Sequence, residues 1–323
     1  VIHQWSAERG HLLQAITGIP FFYRQFGYEM CVNLGGGRSG SKEGVLPLKE
    51  GTEEPYRVRP ATEADIPVIA KVYDWAAQRS LLTCVRDEAI WRYELFGRSE
   101  ENVQRSVVCT IETAQGEPIG VLTHWPRLDH GAMGLTTYEL KPGISWAAVT
   151  PSVLRYLKAT GEEYARREEK PLAGIGFWLQ AEHPVYPLVQ SLLPRYQPPY
   201  AWYIRVADLP AFLRLIAPAL ERRLAASIMA GHTGEVTISF YRSGLKLVLE
   251  QGRLAAIEPW KPTPDEWGAA RFPNLTFLQL VFGYRTVEEL SYAFPDCSPG
   301  NDETRTLLAI LFPKKGSQLL PIA

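Results

Sequence analysis

Residues 21–29 read FFYRQFGYE, and they are more informative than any other short stretch of the chain. Core packing alone does not require an aromatic pair, a tyrosine, two polar residues and then Phe-Gly-Tyr. Tyr23 is the side chain here that could do chemistry, because a phenol with a pKa of about 10 stays protonated and can donate a hydrogen bond to a developing anion. Gly27 would allow a tight bend, and Phe26 and Tyr28 are expected to be packing residues.

The other reactive side chains form no comparable pattern. The six histidines share no metal-ligand spacing such as H-x-x-x-H, no G-x-S-x-G motif occurs, and no cysteine has a recognisable histidine partner. Asp129 and His130 could act as an acid–base pair, but their Gly-flanked turn is typical of solvated side chains. The sequence therefore predicts neither a metal site nor a nucleophilic triad.

The charge balance and the hydropathy of the chain argue against a nucleic-acid or membrane partner. The 323 residues include 34 basic and 35 acidic side chains, so no global field would attract nucleic acid or an anionic membrane. The longest apolar stretch, residues 275–284, is interrupted by Thr276 and Gln279 and is too short to span a bilayer. The four cysteines show no ligand spacing, which favours free thiols in a reducing cytoplasm. We expect no nucleic-acid partner, no membrane partner and a cytoplasmic location.

The elements that must position Tyr23 lie in the first 34 residues. The pattern predicts the end of a helix, a short strand at Leu13–Ile16 and a second strand at Met30–Leu34. Residues 35–41 (GGGRSGS) have linker composition, and the charged stretch 49–55 extends it. A glycine-rich loop can also cradle phosphate, but it then needs a helix start after it. We predict a linker over residues 35–55.

A domain is predicted over residues 56–206, with the element order β-α-α-β-β-β-α-β-α-β. A strand begins at Tyr56, and Thr62 with Asp65 forms a near capping box that starts a helix. A second helix is predicted at about Arg86–Phe96, and a long amphipathic helix at Val149–Glu168. The helix after the capping box is predicted to bury one face, formed by Ile66, Ile69, Val72, Tyr73 and Ala76.

The last region, residues 207–323, begins with a helix at Leu209–Met229 that we expect to break near Pro218. Three consecutive strands follow between residues 234 and 259, joined by Ser-Gly and Gln-Gly turns. Apolar, helical pieces and an apolar tail at 318–323 complete the chain. The predicted fold class is α+β.

These residues resemble the GNAT acyltransferases. Residues 23–28 match the Y-x-x-F-G-Y segment near the C-terminal end of that fold, and the opening of the second region, Arg59 to Asp65, is similar to a GNAT domain start. In order, the chain looks like the end of a GNAT domain (1–34), a degenerate GNAT-like domain (56–206) and a sterol carrier protein-like domain (207–323). This three-part order is similar to Eis-type acetyltransferases. The resemblance implies mixed-sheet GNAT-like domains followed by an antiparallel sterol carrier-like domain.

The second GNAT-like region departs from the family at the pyrophosphate loop. The family has a Q/R-x-x-G-x-G/A loop after its fourth strand, whose backbone N–H groups hold pyrophosphate at a helix N-terminus. The corresponding stretch here, residues 141–148 (KPGISWAA), has one glycine, and Pro142 and Trp146 stand where close backbone approach is needed. We therefore predict that residues 56–206 have lost acyl-CoA binding.

The resemblance implies an acetyl-CoA-dependent N-acetyltransferase that acts on an amine of a small molecule or a lysine, with no metal. Tyr23 matches the family's general acid, and the C-terminal carboxylate, here that of Ala323, would be the base. The relatives end in an aromatic residue, and Ala323 departs from that pattern. The residues that would bind acetyl-CoA are not identified. Eis-like proteins form rings, so a homo-oligomer is also implied.

Two alternatives remain open. The chain looks truncated at Val1, because most of a domain precedes Y-x-x-F-G-Y in the family, so we expect this chain alone to be inactive. The first alternative is a non-enzymatic role: the last region could bind an apolar ligand or mediate assembly, with the GNAT parts as scaffold. The second is a remnant with no separate function.

Overall fold

The computed structural model describes residues 1–273 and 275–319, and it divides into two compact units. The terminal unit consists of residues 1–32 and 201–316, and the central unit of residues 33–200 and 317–319. The chain thus enters the central unit twice, at residue 33 and at residue 317, and returns to the terminal unit once, at residue 201.

The secondary structure of the described residues is mixed, as the predicted α+β class requires. The helices are α1 (Ile2–Glu8), α2 (Pro20–Arg24), α3 (Ile66–Ala77), α4 (Glu88–Arg92), α5 (Trp146–Glu168), α6 (Tyr186–Val189), α7 (Leu209–Ala225), α8 (Thr276–Val281), α9 (Val287–Ala293) and α10 (Asp302–Leu311). The strands are β1 (Leu13–Ile16), β2 (Glu29–Leu34), β3 (Gly37–Ser41), β4 (Tyr56–Pro60), β5 (Val107–Thr113), β6 (Pro118–His124), β7 (Ala132–Leu140), β8 (Gly174–Phe177), β9 (Arg195–Gln197), β10 (Tyr200–Val206), β11 (Gly234–Ser239), β12 (Gly244–Glu250), β13 (Arg253–Trp260) and β14 (Ala270–Arg271).

The central unit is built on one seven-stranded mixed sheet, in the order β4-β5-β6-β7-β8-β3-β9. Strands β4 to β7 are antiparallel neighbours, β7 and β8 are parallel with Leu135 opposite Phe177, and β3 is antiparallel to β8 with Ser39 opposite Gly176. Strand β9 pairs with β3 and lies at the edge of the sheet. It was not predicted from the sequence.

The predicted linker over residues 35–55 is wrong for residues 37–41, which form β3. The glycines serve close packing there. A Cβ on Gly37 would stand 2.2 Å from the carbonyl oxygen of Phe177, and one on Gly40 would stand 2.1 Å from that of Leu192. Glycine in a strand marks such close backbone approach as well as flexibility, and composition alone does not separate the two.

Helices cover both faces of the central sheet because successive strand residues point to opposite sides. Val108 of β5 packs in a cluster with the buried face of α3, and Cys109 packs in a second cluster that includes Val153 and Leu157 of α5. The predicted inward face of α3 is confirmed, since all five of its members are buried. The capping box that starts this helix is present: the Asp65 carboxylate accepts the Thr62 N–H and hydroxyl, each at 2.8 Å.

The terminal unit contains a three-stranded sheet in the order β1-β10-β2 and a four-stranded sheet in the order β13-β12-β11-β14. In the first, β10 is antiparallel to β1, with Ala15 opposite Ile204. In the second, β11 to β13 are antiparallel as predicted, while β14 adds a parallel pairing at Ile238–Ala270. Helix α7 contacts β13 and buries Phe212, Leu213, Leu220 and Leu224.

The expected break near Pro218 is wrong, because α7 continues through it. A proline removes one N–H donor and crowds the preceding turn, but here burial on both sides of Pro218, at Leu213 and Leu220, holds the helix on the sheet. The helix also ends at Ala225, four residues before the predicted end at Met229.

Candidate active-site region around Tyr23

Tyr23 lies in the short helix α2 of the terminal unit, and Gly18 fixes where its ring can be. Gly18 has φ +154°, and a Cβ built on it would stand 2.2 Å from Cε2 of Tyr23. Pro20 begins the helix at a position that suits its fixed φ and missing N–H. The Tyr23 ring stacks on Tyr203 of β10, with centroids 6.2 Å apart at 24°. Only glycine at position 18 leaves room for this ring.

Gly27 makes the bend that the sequence predicted, with φ +82°. The chain therefore turns from α2 into β2 within a few residues. Arg205 of β10 passes beside the bend: its Nε lies 3.7 Å from the position of a Cβ on Gly27, and its Nη1 donates to Oε1 of Gln14 at 2.7 Å. Strand β10 thus contributes both a stacked ring and a guanidinium to this region.

Tyr28 is a packing residue, as predicted, and it also makes a polar contact. The side chain is buried, its ring meets Tyr23 at 6.0 Å in an edge-to-face arrangement, and its hydroxyl lies 3.1 Å from Nε2 of His3. Burial raises the pKa of Tyr28 above its ordinary value. Burial and then the charge of Arg205 lower the pKa of His3. Both groups are therefore neutral at pH 7.

An ion pair clamps the two ends of this segment. Arg24, the last residue of α2, makes a bidentate contact with Glu29, the first residue of β2, with Nε–Oε2 at 3.2 Å and Nη2–Oε1 at 2.9 Å. Glu29 is buried and also accepts the N–H of Met30 at 3.0 Å. A bidentate guanidinium–carboxylate pair fixes orientation as well as distance.

The aromatic residues that flank Tyr23 face solvent. Phe21 is 79% exposed, Phe22 52% and Phe26 48%, and Ile19 beside them is 66% exposed. The prediction that Phe26 is a packing residue is wrong: its ring contacts Phe22 at 5.2 Å and is half open. Adjacent exposed aromatic side chains are typical of a binding surface.

Ala323, the predicted base, lies outside the described residues. The loop at 141–148, predicted to have lost pyrophosphate binding, lies within the described residues. Helix α5 begins after Ser145, whose Oγ accepts the N–H of Ala148 at 3.3 Å. The Trp146 ring packs edge-on against Tyr138 at 4.8 Å and against His183 at 5.1 Å. The Ser145 side chain thus already accepts the Ala148 N–H, which a bound pyrophosphate would need as a donor. This loop therefore does not fit a pyrophosphate.

Two cavities lie inside the units. The one in the terminal unit has a volume of about 550 Å³ and is lined mainly by apolar side chains, including Phe240, Leu245, Leu275 and Phe277. The one in the central unit has about 200 Å³ and is lined by charged, neutral polar and aromatic side chains. The last region was expected to bind an apolar ligand, and most residues that line the first cavity belong to it. The second cavity was not predicted from the sequence.

Within residues 1–273 and 275–319, no group of three or more His, Cys, Asp or Glu side chains is placed to hold a metal ion. In the same part of the chain, no helix combines the length and apolar character needed to cross a bilayer. Cys31, Cys109 and Cys297 are free thiols.

Comparison with solved structures identifies the class of fold. A probable N-acyltransferase from Enterococcus faecalis superposes with a TM-score of 0.66 at 14% identity, and the match covers 100% of this chain and 75% of the Enterococcus chain. A GCN5-related N-acetyltransferase from Anabaena variabilis gives 0.61 at 14% identity, covering 98% and 74%. Eis1 from Mycobacterium abscessus gives 0.52 at 13% identity, also covering 98% and 74%.

The chain therefore has the fold of the GCN5-related N-acetyltransferases, and the similarity extends to an Eis protein. The predicted GNAT and Eis-like resemblance is confirmed at the level of fold, as is the α+β class with mixed sheets. No protein-family model and no curated protein sequence matches the chain. The degenerate character of residues 56–206, the sterol carrier-like region and the domain boundaries stay predictions.

Proposed function

We propose that this chain belongs to an acetyl-CoA-dependent N-acetyltransferase that transfers acetyl to an amine of a small molecule or of a lysine. The observation that carries the proposal is the placement of Tyr23. This chain has the GNAT fold, and Tyr23 is the first tyrosine of an intact Y-x-x-F-G-Y segment. Its ring lies against Gly18, and any residue other than glycine at position 18 would clash with it. Such a steric requirement supports a fixed functional position for the ring.

The proposed chemistry is direct attack of a neutral amine on the thioester of acetyl-CoA, which supplies the acetyl group. Tyr23 donates a hydrogen bond from its hydroxyl to the sulfur as the C–S bond breaks. Because a phenol pKa of about 10 exceeds a thiol pKa of about 8.5, this stabilises the thiolate rather than transferring the proton outright. The carboxylate of Ala323 accepts the proton that the amine loses as its N–C bond forms.

We expect residues 1–323 alone not to turn over. The supporting feature is the loop before α5, where Ser145 caps the helix and Trp146 packs into the core, so that no pyrophosphate cradle is offered there. Calorimetry should compare acetyl-CoA binding by residues 1–323 with binding by a version extended by coding sequence upstream of Val1, where such sequence exists. Binding by the extended version alone supports the proposal, and binding by neither version refutes it.

The cavity of the terminal unit favours a second candidate function, the binding of an apolar ligand. Its volume of about 550 Å³ lies in the range of small-molecule pockets of about 300–1,000 Å³. Phe240 and Phe277 line it, with ring centroids 5.5 Å apart. Displacement of a bound fluorescent fatty acid would support this function. Loss of that binding in Leu245→Gln, with Leu215→Gln at an exposed position as control, would place the ligand in this cavity.

The compartment and assembly are also proposals. Cys31, Cys109 and Cys297 are buried free thiols, and burial raises the pKa of each. Unpaired thiols suit a reducing compartment, so we propose the cytoplasm. An Eis-like homo-oligomer would be detected by the molar mass in light scattering.

A further inference from the structure

The cavity of the central unit has the features of a binding site that the proposed acetyl transfer does not use. Its lining comes from Leu34 and Gly35 at the end of β2, from the segment between α3 and β5, from strands β5 to β7, and from the residues that follow β6 and β8. It combines two arginines, one carboxylate and three indoles with neutral polar side chains. The charged and aromatic lining residues are Arg86, Glu94, Arg98, Trp91, Trp125 and Trp178.

Five of the lining side chains carry a buried polar atom that has no hydrogen-bond partner among the described residues. Four of these atoms are N–H donors and one is an acceptor. They are Nε of Arg86, Nε1 of Trp91, Nη1 of Arg98, Nε1 of Trp178 and Oε1 of Gln180. Buried polar groups in proteins are almost always paired, and leaving one unpaired costs about 1–3 kcal/mol. A cluster of four unpaired donors around one cavity therefore points to a ligand with acceptor oxygens.

These side chains are held in place by the protein rather than being free to turn to solvent. Arg86 is 8% exposed, Arg98 7%, Gln180 6%, and Trp91 is fully buried. The Arg86 guanidinium lies over the rings of Tyr73 and Trp91, at 5.6 and 5.3 Å from their centroids. The donors are thus prepositioned, which reduces the entropy lost when a ligand binds.

The charge of the lining is positive by one. Arg98 is matched by Glu94, with Nε–Oε2 at 3.0 Å and Nη2–Oε1 at 2.7 Å. Arg86 makes no ion pair with any carboxylate of the described residues, although it is buried. Burying an unpaired charge is costly, and buried charges are normally paired. A ligand with one negative charge would complete this site.

The backbone around the site is also unusual. Residues 93–97 form a π-helical turn that follows α4 and carries Glu94 towards Arg98. Such turns are rare and occur frequently at functional sites. Gln180 has φ +74°, a left-handed conformation uncommon outside glycine, and the Tyr186 hydroxyl donates to its carbonyl at 2.8 Å.

We infer that the central unit binds a small organic carboxylate in this cavity. Arg86 and Arg98 would hold the carboxylate, with the Trp91 and Trp178 indole N–H groups as further donors. The flat or apolar body of the ligand would lie against the indole rings. The volume of about 200 Å³ limits the ligand to a small molecule. The ligand is organic because three indoles line the site, whereas inorganic phosphate would leave these faces uncovered.

The test uses 4-fluorobenzoate as the probe, with its binding to the full chain followed by ¹⁹F NMR and by calorimetry. 4-Fluorobenzamide is the neutral counterpart of equal shape, and inorganic phosphate is the inorganic one. Arg86→Met removes the unpaired guanidinium and keeps the side-chain length. The double variant Glu94→Gln/Arg98→Met removes the ion pair without leaving either charge behind. Arg127→Met is the matched control, because Arg127 is exposed and, among the described residues, its one hydrogen bond goes to the Val103 carbonyl.

We expect 4-fluorobenzoate to bind, and its affinity to fall about 10- to 100-fold in Arg86→Met and in the double variant, as the loss of charge-assisted hydrogen bonds predicts. The control should bind as the unchanged chain does, and 4-fluorobenzamide and phosphate should bind at least about 10-fold more weakly. The inference is overturned if benzoate and benzamide bind alike, if no benzoate binding is detected, or if Arg127→Met has the same effect as Arg86→Met.

Thermal unfolding distinguishes a ligand site from a structural one. Without ligand, Arg86→Met should be at least as stable as the unchanged chain, because it removes a buried unpaired charge. A large loss of stability in this variant would mean that Arg86 holds the fold, and would overturn the inference. Trp178→Phe, which removes one indole donor and little volume, should weaken benzoate binding without loss of stability.

Discussion

Gly18 and Tyr23 are in close contact, and the Tyr23 ring fits only because Gly18 has no side chain. The ring of Tyr23 occupies the space that a Cβ on Gly18 would need, and its stacking on Tyr203 fixes the other side. The position of a phenol that is to stabilise a departing thiolate must be held closely, because misplacement of a reacting group costs rate. Stability and activity should both respond to changes at this contact.

Gly18→Ala should destabilise the chain by about 1–3 kcal/mol, because it combines a strained φ with a clash against the Tyr23 ring. Chemical denaturation measures the free energy of unfolding. Gly10→Ala is the matched control: Gly10 also has a positive φ, +70°, but nothing lies within 4 Å of its Cβ position. Equal losses in the two variants would mean that the close contact with Tyr23 contributes nothing.

Tyr23→Phe should lower kcat about 10- to 1,000-fold in whichever form of the protein turns over, with little change in KM, because the hydrogen bond to the developing thiolate acts in the transition state. Steady-state kinetics with acetyl-CoA and an amine measure this. Tyr28→Phe makes the same chemical change five residues later and removes only the contact with His3. If both variants keep full activity, Tyr23 is an ordinary aromatic residue.

At the scale of elements, the sequence predicted best what depends on nearby residues. The buried face of α3 and its capping box follow from spacings of three or four residues, and the structure has both. Strands β3 and β9 depend on partners far along the chain, and their sequences carry no local signal of pairing. The glycines of β3 were therefore interpreted as a linker.

The candidate sites divide in the same way. Tyr23 and the bend at Gly27 could be predicted because they belong to one short motif. The role of Gly18 could not, since a single glycine does not show which ring lies against it. Arg86 and Arg98 are separated from Gln180 by more than eighty residues. The sheet brings them to one cavity, and no sequence spacing predicts that.

The Arg59–Asp65 pair should make the start of α3 sensitive to acid. Asp65 is buried and accepts Nη1 and Nη2 of Arg59 at 2.8 and 2.9 Å, and these hydrogen bonds lower the pKa of its carboxyl far below the ordinary value. A carboxyl whose pKa is lower in the folded state stabilises the fold at any pH above its unfolded-state pKa of about 3.9. This contribution is lost as the pH falls below that value.

Asp65→Asn should therefore cost about 2 kcal/mol at pH 7, and the difference from the unchanged chain should shrink below about pH 4. Denaturant unfolding at pH 7, 4 and 3 measures this. Glu63→Gln in the same turn is the control, because Glu63 is exposed. A difference that is constant across this pH range would contradict the assignment.

Gly40→Ala should destabilise the central sheet by about 1–3 kcal/mol, because the new Cβ would meet the backbone carbonyl of Leu192, which cannot move away without breaking the sheet. Gly44→Ala is the matched control, since its Cβ would meet only the end of the Leu192 side chain. The two free energies of unfolding should differ clearly. Equal values would restore the linker interpretation of residues 35–41.

At the scale of the whole molecule, neither unit corresponds to the predicted domain boundaries. The central sheet takes β3 from before residue 56, while β10, within the predicted domain 56–206, belongs to the small sheet of the terminal unit. The order of the strands along the chain therefore does not show to which of the two sheets β3 and β10 belong.

Residues 33–200 expressed alone should therefore unfold cooperatively, whereas residues 56–206 should not. The second fragment lacks β3, so β9 loses the strand with which it pairs, and β8 loses a neighbour. Thermal melting followed by circular dichroism compares the two fragments. A cooperative transition of 56–206, with 33–200 unfolded, would support the boundaries predicted from the sequence.

The order of the small sheet has a consequence for synthesis on the ribosome. Strand β10 lies between β1 and β2, yet it leaves the ribosome roughly 170 residues after β2. At translation rates of about 5–20 residues per second, the two outer strands wait about 10 to 30 s for the strand that joins them. During this interval their edges and the aromatic residues of 21–28 are open to other nascent chains. This protein should therefore depend on chaperones during translation, and slower translation should increase that dependence.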